Sequence, residues 1–489
     1  MKAYSSAARL GSLVTVLASL PVHAEWRALE TLAAQGASVS AGAFDLDSGR
    51  PLQQLQASTR LAPASLTKLA VTAATLDHWA PDKTFTTRVY ATGEVKPGQI
   101  GGDLVLVGAG DPTLEYRSLL ELAGQIKSAG VADIRGRIVV DLQPFPAVDC
   151  ETRDRCEALQ HSATAYNAPL AAVGVDYGNW CINVQPTTPG RAAKIRGCGV
   201  AQLPIEVHGD INTVAAGAAS GFRIDRVTRN GVDELRIGGR IAAGPAQRVY
   251  RAMSNSALGV SLLLRETLIE LGISVHGAAA VERGAQLPAA AQPIAQTEGL
   301  LLKEQLARML RYSNNYIADV LTLDLAADLK PAPFATARLA DAGRLLADLV
   351  YQKFEPRAER AAGPPILLSG SGLTPENRLS AADLVALLVH EYRDSRYFPA
   401  FYGGLVVPRQ SPFAFLRQGG PDWLDRVALK TGTMEEPVSV CGIAGYLRKK
   451  GGGWIAFAAI VNGSARLPHV PIASAMAALR TDVEALLLQ

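Results

Sequence analysis

The sequence predicts an α/β (α+β) fold in which helices flank a central antiparallel sheet and an inserted β-rich region splits the domain in two. Three observations predict it. An apolar strand pattern opens the chain at Val39 to Leu46, and two more close it at Val438 to Leu447 and Trp454 to Val461. Helical periodicity follows the first strands and precedes the last ones. Between residues 91 and 294 helical patterns become sparse, and short strand-like runs alternate with turns containing Gly and Asn.

The elements follow in order. Lys2 and Arg9 precede an apolar run from Leu10 to Leu20, and Val22-His23-Ala24 then offers small residues where a signal peptidase reads. Residues 1–24 are therefore expected to be a cleaved secretory signal, with cleavage after Ala24 and a periplasmic mature chain. As an uncleaved anchor the run would be too short for about 30 Å of hydrocarbon. No other stretch could cross a bilayer.

Residues 25–90 form the first part of the split domain. Val39 to Leu46 and Pro51 to Leu55 are paired strands about the turn Asp47-Ser48-Gly49, and Pro63 opens a helix with apolar positions Leu66, Leu69, Ala70, Ala73 and Leu76. The insertion, 91–294, includes strands at Leu104 to Val107, Ile138 to Val140, Phe222 to Val227 and Leu235 to Ile237, and ends in an Ala-, Gln- and Pro-rich linker from Gly284. Residues 295–489 resume the domain with helices at Leu301 to Met309, Tyr316 to Leu325, Ala335 to Val350 and Ala381 to Glu391, then the closing hairpin. A last helix, Ile472 to Leu488, carries Met476, Leu479, Val483, Leu486 and Leu487 on one stripe. Its polar face holds only Arg480, Asp482 and Glu484, which favours core packing over a membrane surface.

Composition narrows the function. With 489 residues, 48% hydrophobic and 19% charged, the chain can fill two or three domains. A formal charge of +3 gives no reason to expect nucleic acid as a partner. Cys150, Cys156, Cys181 and Cys198 cluster, so two disulfides are expected in an oxidising compartment, with three connectivities open. A zinc site is the weaker reading, because paired C-x-x-C spacing is missing; Cys441 reads as a buried free thiol.

Three motifs carry chemistry. Ser65-Leu66-Thr67-Lys68 places a hydroxyl and an amine one helical turn apart. A neutral lysine can activate a serine, but its pKa must fall by about three units, which burial or a second cation can achieve. Ser313-Asn314-Asn315 stands at a helix entrance, where simple N-capping would also account for it. Lys430-Thr431-Gly432-Thr433 puts a cation and two hydroxyls on an edge strand, a cradle for a carboxylate, with Gly432 allowing a substrate backbone to approach.

In this order the motifs resemble S-x-x-K, S-D-N and K-T-G of penicillin-binding proteins and β-lactamases. The run Gly102-Asp103-Leu104-Val105-Leu106-Val107-Gly108-Ala109-Gly110-Asp111-Pro112-Thr113-Leu114, with Gly370-Ser371-Gly372-Leu373 and Asn377-Arg378-Leu379-Ser380, is similar to class C low-molecular-mass penicillin-binding proteins, the D-alanyl-D-alanine carboxypeptidase/endopeptidases. The resemblance covers nearly the whole mature chain. It implies a β-lactamase/transpeptidase-like fold and a serine D-Ala-D-Ala peptidase acting on peptidoglycan stem peptides, with β-lactam antibiotics as inhibitors and no cofactor or metal. It further implies Ser65 as nucleophile, Lys68 as its base, Ser313 as proton relay and Asn315 as holder of the substrate amide and Lys68. Lys430, Thr431, Gly432 and Thr433 would bind the terminal carboxylate, and Asp176 would face a side-chain amine of the stem.

The chain departs from the pattern where S-N-N replaces S-D-N and where Ser369 precedes G-S-G. Pro375-Glu376 stands where an Arg is usual, which puts the usual diaminopimelate preference in doubt. A β-lactamase is disfavoured, since no E-x-x-x-N lies between Ser313 and Lys430 and the insertion is foreign to that class. The other alternative is a non-catalytic penicillin- or peptidoglycan-binding module, against which the intact polar residues argue. Homo-oligomerisation stays open.

Overall fold

A computed structural model describes residues 26–487, except 149, 201, 286, 288–290, 331–337 and 354–362. The signal expected at 1–24 lies outside the described residues, as do the first residues of the helix read from Ala335 and the end of the last helix.

Five strands form the central sheet: β1 (Ser38–Asp45), β2 (Arg50–Leu55), β3 (Val427–Met434), β4 (Val440–Arg448) and β5 (Trp454–Asn462). They run β2-β1-β5-β4-β3, every pair antiparallel, so the first strand of the chain lies against the last. β3, which carries the K-T-G run, is an edge. Alternate residues of β5 serve different cores: Ala456, Ala458 and Ile460 face one side, and Ile455, Phe457, Ala459 and Val461 the other. Both faces are apolar, which is why the closing strands read as continuous hydrophobic runs.

One face is covered by helices α1 (Arg27–Gln35) and α7 (Ile472–Leu486). Leu29, Met476, Leu479, Val483 and Leu486 are buried there, so the last helix packs into the core as its stripe predicts. Asp482, read as part of a polar face, is buried instead. Its carboxylate accepts the backbone N–H of Ala28 at 3.1 Å and of Leu29 at 2.9 Å, satisfying amide donors that the helix α1 start leaves open.

The other face holds α2 (Thr67–His78), α4 (Leu302–Tyr312), α5 (Asn315–Leu329) and α6 (Ala381–Arg393). Helix α2 is buried from Thr67 to Leu76, which suits its lack of a polar side. Pro63 starts this segment as predicted, but Ala64–Leu66 is a 3₁₀ turn, and the α-helix begins only at Thr67.

The inserted region is less purely β than its sequence suggests. Its main sheet has strands at Ala279–Glu282, Ile138–Asp141, Leu104–Val107, Thr86–Ala91 and Ala295–Glu298, in that order. The first and last of these in the chain pair with each other, Val89 opposite Ala295, so the inserted region closes on itself with bounds a few residues wider on each side than the 91–294 expected from the sequence. Helices Tyr116–Ser128 and Ser256–Glu270 pack on it through Leu119, Leu122, Ile126, Val260, Leu264 and Leu268. A short helix α3 (Arg153–Ala158) and three further sheets complete the region among the described residues. Two disulfides form, Cys150–Cys156 and Cys181–Cys198, and Cys441 is a buried free thiol. No helix among the described residues is long and apolar enough to cross a membrane.

Candidate active site

The N-terminal end of α2, the start of α5 and the edge strand β3 converge. Two left-handed residues set the geometry: Ala64 (φ 45°) immediately before Ser65, and Ser313 (φ 55°), which ends α4. Such backbone is costly for a residue with a side chain and persists where packing enforces it. The middle residue of the S-N-N run, Asn314, caps α5 by accepting from Ile317 N–H at 2.9 Å. Capping therefore accounts for Asn314, while the residues on either side point elsewhere.

Lys68 lies at the centre, fully buried. Its Nζ is 2.9 Å from Ser65 Oγ, 2.9 Å from Asn315 Oδ1 and 2.6 Å from the carbonyl oxygen of Ser371. The last two can only accept. They take two N–H bonds, so the lone pair of a neutral amine is left facing the Ser65 hydroxyl. Burial pushes the Lys68 amine well below its ordinary value, helped next by the charge of Lys430. Both causes named from the sequence are present. Lys430 donates to Ser313 Oγ at 2.9 Å, and burial brings its own pKa down to about 7.

Above these groups opens a cavity of about 860 Å³ lined by Ser65, Ser313, Asn315 and Thr433. Its outer walls carry Glu151, Asp154 and Glu157 on the insertion side, Glu376 beyond the G-S-G-L loop, and Glu435 and Glu436 past β3; among the described residues lining it, Arg153 is the one that is basic. Thr431 and Gly432 sit on β3 behind Thr433. Gly432 has a packing reason beside the substrate approach expected of it: a methyl there would be driven into the carbonyl oxygen of Pro63, so the glycine lets β3 press against the turn that carries Ser65. Gly372, at φ 76°, packs against Ala64 in the same way.

Asp176 is not among the residues lining this cavity. It sits on left-handed backbone (φ 50°), and burial, then Glu115, pushes its carboxyl up to about 7. The carboxylates near Ser65 come from other segments. The sequence reading also passed over Asp319 and the carbonyl of Ser371, although both lie in stretches it quoted. Away from the cavity, Asp77, His390 and Glu391 bring potential metal-ligand atoms within 4.8 Å of one another, where Lys353 already approaches Asp77 at 3.5 Å.

A serine joined to a buried lysine, on a helix-flanked antiparallel sheet, defines the class: a serine hydrolase of mixed α+β, transpeptidase-like fold. More narrowly, the chain belongs to the D-Ala-D-Ala carboxypeptidase 3 (S13) family, whose sequence pattern it matches over residues 26–483. It is 26% identical to the D-alanyl-D-alanine carboxypeptidase DacB of Haemophilus influenzae, over 95% of this chain and 94% of that one. It is 29% identical to the D-alanyl-D-alanine carboxypeptidase of an Actinomadura species, over 89% of this chain and 79% of that one. The fold matches the crystal structure of penicillin binding protein 4 (dacB) from H. influenzae with a TM-score of 0.71 at 21% identity, covering 94% of this chain and 99% of that one. That protein has also been crystallised with a β-lactam.

Proposed function

We propose that the chain is a periplasmic serine D-Ala-D-Ala carboxypeptidase, with D,D-endopeptidase activity on peptidoglycan cross-links, that works through an acyl-enzyme at Ser65 and is acylated by penicillin. The observation that carries this reading is Lys68 Nζ 2.9 Å from Ser65 Oγ, with its two other contacts acceptors only.

Ser65 Oγ attacks the carbonyl carbon between the two D-alanines while its proton passes to Lys68. The backbone N–H groups of Ser65 and Thr433 stabilise the developing oxyanion. Ser313 relays a proton to the departing amine nitrogen as the C–N bond breaks, leaving an ester on Ser65. Water then hydrolyses that ester. Lys430, Thr431 and Thr433 hold the terminal carboxylate, and Asn315 fixes the scissile segment against Lys68. A side-chain amine of the stem peptide meets the carboxylates of the outer wall rather than Asp176. The inserted region, expected at residues 91–294, acts as a separate domain that builds the side of this wall carrying Glu151, Asp154 and Glu157.

The test is the intact mass of the mature protein after exposure to penicillin. The expected result is one added β-lactam on the peptide holding Ser65, absent in Ser65→Ala. A folded protein with no adduct and intact drug would point to a binding module instead, and rapid destruction of the drug to a β-lactamase.

A further inference from the structure

A chain of short, buried contacts runs from the inserted region to Lys68. Arg155, on α3, is 2% exposed and donates through Nη2 to Asp319 Oδ2 at 2.7 Å. Asp319 belongs to α5, one turn after Asn315, and its side chain is fully buried. Its other oxygen, Oδ1, accepts the backbone N–H of Ser371 at 2.7 Å. The carbonyl of that same Ser371 accepts from Lys68 Nζ at 2.6 Å. Each contact spans a large stretch of sequence, 164 residues for the first and 52 for the second.

We propose that Arg155 is a positioning residue for Lys68: reaching from the inserted region, it holds and neutralises Asp319, which fixes the Ser371 carbonyl that aims the Lys68 amine at Ser65. The inference rests on the acyl-enzyme reading above and assigns the insertion a part in that step.

Two physical arguments support it. First, the pair is a poor stability device. Its arginine is deeply buried, yet Nε and Nη1 meet no acceptor among the described residues, and swapping such pairs for apolar packing is often neutral or stabilising. Second, the charges matter to the base. The charged groups that act on Lys68 are Lys430 from β3, Asp319 from α5 and Arg155 from α3. Asp319 favours the protonated lysine, whereas Arg155 and Lys430 oppose it. Ser65, Asn315 and Ser371 are uncharged. Taking Arg155 away leaves a lone buried carboxylate beside the amine, and the amine then holds its proton to higher pH. The Cys150–Cys156 disulfide closes the loop that carries Arg155, tying down the segment that delivers it.

The experiment is the rate of penicillin acylation at Ser65 across pH 5–10, with folding monitored by circular dichroism and thermal melting. In Arg155→Met the midpoint of the acid limb should rise by about one unit, slowing acylation about tenfold below it. Arg155→Lys should keep the midpoint within about 0.3 units, since the charge survives. Asp319→Asn should lower it, and Arg155→Met with Asp319→Asn should return it towards the wild-type value. If Arg155→Met does not fold, the last two variants decide the matter. A folded Arg155→Met with an unmoved midpoint, or an Asp319→Asn and double variant that share the wild-type midpoint, overturns the proposal. No adduct on the wild-type protein would overturn the acyl-enzyme reading itself, and this inference with it.

Discussion

Glu391 shows what one buried residue implies for pH. It is 2% exposed, and burial, then the charges of Asp77 and Asp394, raise its carboxyl to about 8 against an opposing Lys353. Its folded-state value lies above its unfolded one, so the folded chain binds the extra proton between the ordinary value of 4.5 and about 8. Stability from this group is present below pH 4.5 and lost as pH rises through 8. Glu391→Gln should therefore match the wild type at low pH and exceed it above pH 8 by on the order of 3 kcal/mol. Thermal melts of both proteins from pH 4 to 9 check this; a constant difference across that range refutes it. Cys441 behaves as its apolar strand context predicted, and burial raises its thiol to about 12. At this scale the three motifs were legible because each is a short run of residues. Asp319 and Arg155 were not, since nothing local to residue 155 announces a carboxylate on a helix 164 positions later.

Elements repeat the pattern. The edge position of β3 was readable because K-T-G carries polar residues into an otherwise apolar strand. What Gly432 does was not, since the neighbour it accommodates is the turn at Pro63, more than 350 residues earlier in the chain. Gly432→Ala should push β3 off the Ser65 turn and slow penicillin acylation by about a hundredfold, comparable to losing one oxyanion donor. The check is the acylation rate beside that of Gly451→Ala, on an open turn where a methyl meets nothing. Helix Tyr116–Ser128 was overlooked although Leu119, Leu122, Ala123 and Ile126 stand at helical spacing, a signal that short neighbouring strands concealed. Helix Ser256–Glu270 is buried on most sides and gave no clear stripe to read.

Across the molecule, one set of contacts couples the two halves. Phe145, Ala158, Ala168 and Ala252 of the insertion pack with Tyr316, Val320, Leu323 and Ala326 of α5, the helix that also presents Asn315 and Asp319. Because this junction is a continuous core, the wild-type protein should unfold in one calorimetric transition. Leu323→Ala opens a cavity at the junction and should cost about 2–5 kcal/mol. It should also separate the insertion's melting from that of the sheet domain. A single unshifted transition would show that the junction contributes little.

The sequence by itself determined the split architecture, the helix-flanked antiparallel sheet and the three motifs, because periodicity and short motifs are local properties of a chain. Only the tertiary structure decided which acids line the cavity, that Asp176 is not among them, and that Arg155 and Asp319 stand behind Lys68. Charge and burial act through space, and a lysine becomes a base by virtue of neighbours that the chain brings back from hundreds of residues away.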